Sequence, residues 1–260
     1  MAVEAIFFGD VCQGGDTGTS LYIDDLLKTV SIPQRLYCAS YIKDAFVYKN
    51  LLTHWNDLSG NRATMGVSVH STPEVGMGFG KPTVVFKDDR SMETSNVSAP
   101  IEPPYTIVSI CQLSSKVQTQ PNPEKGNVLV SFPRGRTEDV LTKGPTILAN
   151  DGNGHIGYTI YDGSVSKTVS ASTLVDYNPH VYINYFAGNG GSYMMQDGNV
   201  VASGGSGDPG SIHKIALSSV IDRPFLGNYS LLAIYKGELS KGDAGEIARF
   251  AESYYGISGV

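Results

Sequence analysis

The chain is short of cysteine, charge and tryptophan. Three cysteines occur in 260 residues: Cys12, Cys38 and Cys111. An odd, sparse set is no disulfide framework, and no C-x-x-C spacing points to zinc. Cys111 sits in the apolar run 105–113 and reads as a small buried hydrophobe. Charged residues make up 17% of the chain, against roughly 25% in an average globular protein. Lys and Arg number 19 against 25 Asp and Glu, for a formal net charge of −6. That balance excludes a general nucleic-acid binder, which needs a basic stripe to neutralise phosphates. No apolar run approaches the roughly 20 residues of a membrane span. The opening residues lack the basic segment and about 7–15 apolar residues of a secretory signal, since Glu4 and Asp10 interrupt them. The expectation is synthesis in a reducing cytoplasm.

What is abundant is glycine, at 30 residues, with 15 tyrosines and 13 prolines. Apolar residues reach 41%, enough to exclude disorder. From about residue 105 short apolar or alternating runs recur between turn residues. They cover 105–113, 127–132, 155–161, 164–170, 180–186, 193–196, 199–202, 212–217 and 229–236. Many short strands at roughly ten-residue spacing predict a sandwich or barrel rather than a βαβ sheet. Asp197-Gly198 is a strong two-residue hairpin signal. One helix is predicted near the end. Ser240 is its N-cap, Asp243 stands in the first turn, and Ile247, Phe250, Ala251 and Tyr254 form an apolar stripe. Gly256 occupies the place of a left-handed C-cap.

Residues 1–32 differ from the rest. A Gly/Thr-rich loop precedes Leu21, Ile23, Leu26, Leu27 and Val30, a short helical pattern ended near Pro33. This segment is expected to be an N-terminal arm for anchoring or oligomerisation, with residues 33–260 forming one sandwich.

Two stretches carry a resemblance. The first is His54-Trp55-Asn56-Asp57-Leu58-Ser59-Gly60-Asn61, followed by Pro73 and by Gly80-Lys81-Pro82-Thr83-Val84-Val85-Phe86. The second runs from Tyr229 to Ile257, with Leu232 to Tyr235, Glu238-Leu239-Ser240 and the closing Tyr254-Tyr255-Gly256-Ile257. Met194 to Gly198 lies between them as a hairpin. Together they resemble laminin-G-like, concanavalin A-like jelly-roll domains, over about residues 34–260. The resemblance implies an all-β fold: two antiparallel sheets, a short C-terminal helix and the arm in front. Trp55, Asp57, Ser59 and Gly60 are its structural motif, with Trp55 as a core plug and Asp57 and Ser59 bonding to local backbone.

Catalytic patterns are missing. Glucanases of the wider fold carry an E-x-D-x-E strand motif, which sets two carboxylates about 5–5.5 Å apart. None of the glutamates stands in such a run, and Glu138-Asp139 would point to opposite faces of a strand. There is no G-x-S-x-G elbow, and Gly76 to Gly80 lacks the following Lys-Ser/Thr pair and the helix pattern of a phosphate loop. The chain is read as a non-enzyme, and a glycan-cleaving enzyme is the least favoured alternative.

Two acidic places invite calcium: Asp88-Asp89 after the 84–86 strand, and Asp151 with Asn153 in the 150–154 loop. The second lacks the glycine an EF-hand needs, because Ile156 occupies that position. A solvated turn is the favoured reading of both, so no cofactor is expected, with calcium as the alternative. For sugar, alternation sets Ile156, Tyr158 and Ile160 inward, leaving His155, Thr159 and Tyr161 on the other face. It likewise sets Val181, Ile183 and Tyr185 inward, leaving Tyr182 and Asn184 opposite. Were these strands neighbours, His155, Tyr161, Tyr182 and Asn184 would form a carbohydrate-binding face.

The leading expectation is a structural component of a bacteriophage virion: a capsid decoration protein or a tail-associated fibre or adhesin. Domains of this resemblance work outside cells, yet the chain shows neither an export signal nor disulfides, and a virion protein released by lysis meets both conditions. Expected partners are other virion proteins held through the arm, copies of the same chain in a homo-oligomer, and cell-surface glycan, with no nucleic acid and no membrane insertion. The alternative is a carbohydrate-binding module for host or environmental glycan.

Overall fold

The computed structural model describes residues 34–39, 45–48, 51–55, 65–67, 72–87, 91–94, 99–114, 127–132, 145–161, 166–205, 207–218 and 224–257. The arm 1–32, the motif residues Asp57, Ser59 and Gly60, and the candidate ligands Asp88 and Asp89 lie outside them.

The first strands are β1 (Gln34–Ala39), β2 (Ala45–Tyr48), β3 (Leu51–Trp55), β4 (Met65–Val67), β5 (Glu74–Gly78), β6 (Lys81–Phe86) and β7 (Met92–Thr94). They are followed by β8 (Tyr105–Leu113), β9 (Asn127–Ser131), β10 (Thr146–Asn150), β11 (His155–Tyr161), β12 (Ser166–Leu174) and β13 (Pro179–Phe186). The last are β14 (Tyr193–Gln196), β15 (Asn199–Ser203), β16 (Ala216–Leu217) and β17 (Gly227–Lys236), and one helix, α1 (Lys241–Tyr255), closes the described chain.

Every pairing between strands is antiparallel, and two sheets result. In the first, β17 lies beside β8, β8 beside β13, then β14 and β15. The far edge of β17 is shared: β1 pairs along its second half and β6, with β5, along its start. The second sheet runs from β2 through β3, β4, β7, β16, β9, β10 and β11 to β12. Leu51 opposite Glu74 joins β3 to β5 and links the two sheets.

Period-two alternation makes two hydrophobic layers. Tyr105, Ile107, Cys111 and Leu113 of β8 face between the sheets, with Tyr229, Leu232 and Ile234 of β17. They meet Ile156, Tyr158 and Ile160 from β11, as the alternation predicts. Trp55 is 1% exposed and sets its ring edge-on to Tyr229, centroids 6.1 Å apart, so the plug role holds. Burial pushes the Cys111 thiol up and keeps it neutral.

The opposite face of the first sheet is also dry. Val108 and Ile110 of β8, Val181 and Ile183 of β13, and Leu231, Ala233 and Tyr235 of β17 form it. Ala244, Ile247, Phe250, Ala251 and Tyr255 of α1 cover it. The helix has the predicted caps. Ser240 Oγ accepts the Asp243 N–H at 3.0 Å, and Gly256 (φ 68°) donates its N–H to the Glu252 carbonyl. Replacing Phe250, 3% exposed, with Ala should cost about 3–5 kcal/mol in urea unfolding, because the helix would then leave a cavity over the sheet.

This second layer corrects one expectation. Val181 and Ile183 are buried, but beneath α1 and not between the sheets. Tyr182 and Asn184 occupy the interior instead. A strand covered on both faces carries no polar side for alternation to reveal.

Candidate functional site

The four residues expected to form a sugar-binding face do not come together. His155 and Tyr161 belong to β11, which pairs with β10 and β12 in the second sheet. Tyr182 and Asn184 belong to β13, between β8 and β14 in the first. Tyr182 is 6% exposed and Asn184 0%, so neither is presented to a ligand. Ring Nδ1 of His155 lies 3.2 Å from the Thr173 carbonyl, and the Tyr161 side chain is outside the described part.

The 150–154 loop is closed on itself. Asn150 Oδ1 accepts the N–H groups of Gly152 and Gly154. Asp151 Oδ1 accepts those of Asn153 and His155 at 2.8 and 3.1 Å, and its Oδ2 accepts the Ser170 hydroxyl at 2.5 Å. Partial burial alone would raise the Asp151 carboxyl, but these bonds and nearby His155 hold it below the usual carboxylate range. The side-chain oxygens that calcium would need thus brace a turn. Among the described residues no three His, Cys, Asp or Glu side chains converge on a metal position.

One buried cluster looks catalytic at first sight. His180 Nδ1 is 2.6 Å from Asp197 Oδ2, and its Nε2 is 2.7 Å from Asp176 Oδ1. Both ring nitrogens therefore face carboxylates, and neither is free to take a proton from a nucleophile. Burial alone would lower the ring's proton affinity. The hydrogen bonds and charges of Asp197 and Asp176 override it, and His180 titrates above the usual histidine range. Asp197 Oδ1 also accepts the Val181 N–H at 2.9 Å, so the cluster pins the β14–β15 turn to β13. That turn has the predicted geometry, with φ of 50° at Asp197 and 81° at Gly198.

An open groove lies where β14 and β15 meet the start of α1. It has a volume of about 350 Å³ and is lined by Tyr193, Met195, Val200, Glu238, Ser240 and Lys241 among others. Alternation along β14 sends Met194 into the interior and turns Tyr193 and Met195 to the helix side. Register then sets Tyr185 of β13 directly opposite Tyr193, and their rings lie 5.2 Å apart at 42°. Tyr193 donates its hydroxyl hydrogen to Glu238 Oε1 at 3.2 Å. Partial burial first, then the Glu238 carboxylate, pushes the Tyr193 phenol up to about 12 and raises that of Tyr185 as well. Both rings are thus neutral at ordinary pH. Val200 is 59% exposed at the groove wall. A tyrosine face backed by a second tyrosine ring, a carboxylate acceptor, a hydroxyl and an amine around an apolar floor suit a polyhydroxylated ligand.

Sequence reasoning passed over this groove. Tyr185 was expected inward, and Glu238 stood only in the motif of the closing strand. The pairing of two tyrosines depends on strand register, and Glu238 arrives from 45 residues away.

No protein-family profile matches the chain, and no curated protein sequence does. Solved structures do. The botulinum neurotoxin serotype D binding domain superposes with a TM-score of 0.62 at 11% identity, over 85% of this chain and 52% of that one. The serotype D ligand-binding domain solved with N-acetylneuraminic acid gives 0.58 at 13%, over 86% and 52%. Trypanosoma rangeli sialidase gives 0.55 at 10%, over 86% and 33%. The chain therefore spans about half the length of the neurotoxin domains and a third of the sialidase. These likenesses show the fold: the chain is a jelly-roll β-sandwich of two antiparallel sheets, closed by one C-terminal helix.

Proposed function

We propose that this protein is a non-enzymatic glycan-binding module, and that it binds sugar in the groove between the β14–β15 hairpin and α1. The observation that carries the reading is Tyr193, packed against the Tyr185 ring and bonded through its phenol to Glu238 in the wall of an open cavity. The neurotoxin domain solved with N-acetylneuraminic acid shares the fold and supports the ligand class. Its whole length is about twice what this chain matches, so the position of its ligand is not transferred.

Within this proposal the setting is the surface of a phage virion, as a decoration or tail-associated protein present in several copies. The sparse cysteines and the resemblance of residues 34–260 support it, and repeated copies would turn weak sugar contacts into firm attachment. Residues 1–32 would hold the module to the particle, and calcium is not required for the proposed contacts.

Tyr193→Ala should weaken binding to any glycan retained by the wild type at least about tenfold in calorimetry, a loss of roughly 1.4 kcal/mol. Its melting temperature should stay close to wild type, because the ring is only half-buried. Unchanged affinity in this variant would reject the groove as the site.

A further inference from the structure

We infer that the groove selects neutral glycans over acidic ones, and that Glu238 makes the choice. The inference rests on the glycan-binding reading and specifies its ligand.

The start of a helix is the usual seat for an anion, because free N–H groups and the helix dipole favour negative charge there. In this groove the N-cap takes one of those groups: Ser240 Oγ accepts the Asp243 N–H. Ser240 in turn donates its hydroxyl to Asp243 Oδ2 at 2.9 Å, which places a carboxylate in the first turn. A sugar acid would meet a like charge there.

Glu238 adds a second carboxylate at the rim. One of its oxygens accepts the Tyr193 hydroxyl, and among the described residues it forms no ion pair. Ionised, it is an acceptor only, suited to pairs of sugar hydroxyls and hostile to a ligand carboxylate a few ångströms away. Tyr193, its hydroxyl hydrogen given to Glu238, remains neutral and offers its ring face and an acceptor oxygen. Among the described residues lining the groove Lys241 is the cation; it and Glu238 are both exposed, so water and salt screen both, and the carboxylate differs in being held at the rim by the Tyr193 hydroxyl. The overall charge of −6 acts in the same direction.

The test is a glycan array carrying neutral glycans, their sialylated counterparts, and uronic-acid and sulfated glycans, probed with the full chain at low salt. Hits should be neutral, and each should bind at least about tenfold more tightly than its sialylated counterpart. Glu238→Gln should cut that ratio to below about threefold, with melting unchanged. Tighter or equal binding of the acidic members by the wild type would overturn the selectivity and leave the glycan-binding reading in place. Discrimination undiminished in Glu238→Gln would overturn the role of Glu238. Retention of no glycan at all would overturn both the selectivity and the function it rests on.

Discussion

Replacing Asp197 with Ala should destabilise the protein by about 3–5 kcal/mol near pH 5.5, and the loss should shrink toward pH 9. The substitution removes a carboxylate 2.6 Å from a ring whose side chain is 8% exposed, and it also frees the Val181 N–H. Asp176 remains, but it is 49% exposed and solvent-screened, so it is the weaker partner. The pH dependence follows from the two directions of shift. His180 is raised above 6.5 in the fold, so its stabilisation is complete below that value and fades as pH climbs through the raised one. Asp176 is lowered below 3.8, so its stabilisation is complete above that value and fades as pH falls through the lowered one. Between those limits the cluster is fully charged, and losing Asp197 strands a buried imidazolium. At high pH the ring is neutral and tolerates the loss. Asp197→Asn, which can still accept the Val181 N–H, should cost less. Urea denaturation at the two pH values measures this, and a penalty that grows with pH would contradict it.

Gly227→Ala should cost about 3 kcal/mol or more and could prevent folding altogether. Gly227 opens β17 where that strand pairs at once with Phe86 of β6 and Leu113 of β8. Its φ is 154°, and a Cβ built there falls 2.0 Å from the Gln112 carbonyl oxygen and 2.9 Å from the Phe225 ring. The first obstacle is backbone in the middle of the sheet, so no side-chain rotation relieves it. Gly245 in α1 makes the opposite case. A Cβ there meets nothing within 4 Å, and Gly245→Ala should stabilise by about 0.5–1 kcal/mol through helix propensity. Thermal melts of the two variants should therefore move in opposite directions.

These positions also show what the sequence discloses. The helix, its caps and the Asp197-Gly198 hairpin were legible because their signals are local: a capping serine, an apolar stripe, two residues that accept positive φ. The strand at 105–113 was legible as a continuous apolar run, and such a run means burial on both sides. In β13 the alternation of Val181 and Ile183 with Tyr182 and Asn184 predicts one dry and one open face. Both faces are covered, one by the second sheet and one by α1, and only the tertiary structure says which. The 150–154 loop is ambiguous for another reason. Asn, Asp and Gly at that spacing serve backbone turns and calcium loops alike, and here the backbone takes the oxygens. The groove was hidden because Tyr193 and Glu238, with Tyr185 packed behind Tyr193, are brought together by register and by the return of the chain into α1.

The central claim, that sugar binds between the β14–β15 hairpin and α1, has a built-in pair of reporters. Met195 lines the groove, whereas its neighbour Met194 is 0% exposed and points between the sheets. The chain has only six methionines, so their methyl signals can be resolved and assigned by substitution. Titration of methyl-labelled protein with a neutral glycan retained on the array should shift the Met195 signal in a saturable way and leave Met194 almost still. A saturable shift confined to other methionines, or binding that leaves Met195 unmoved, would place the ligand elsewhere and contradict the account.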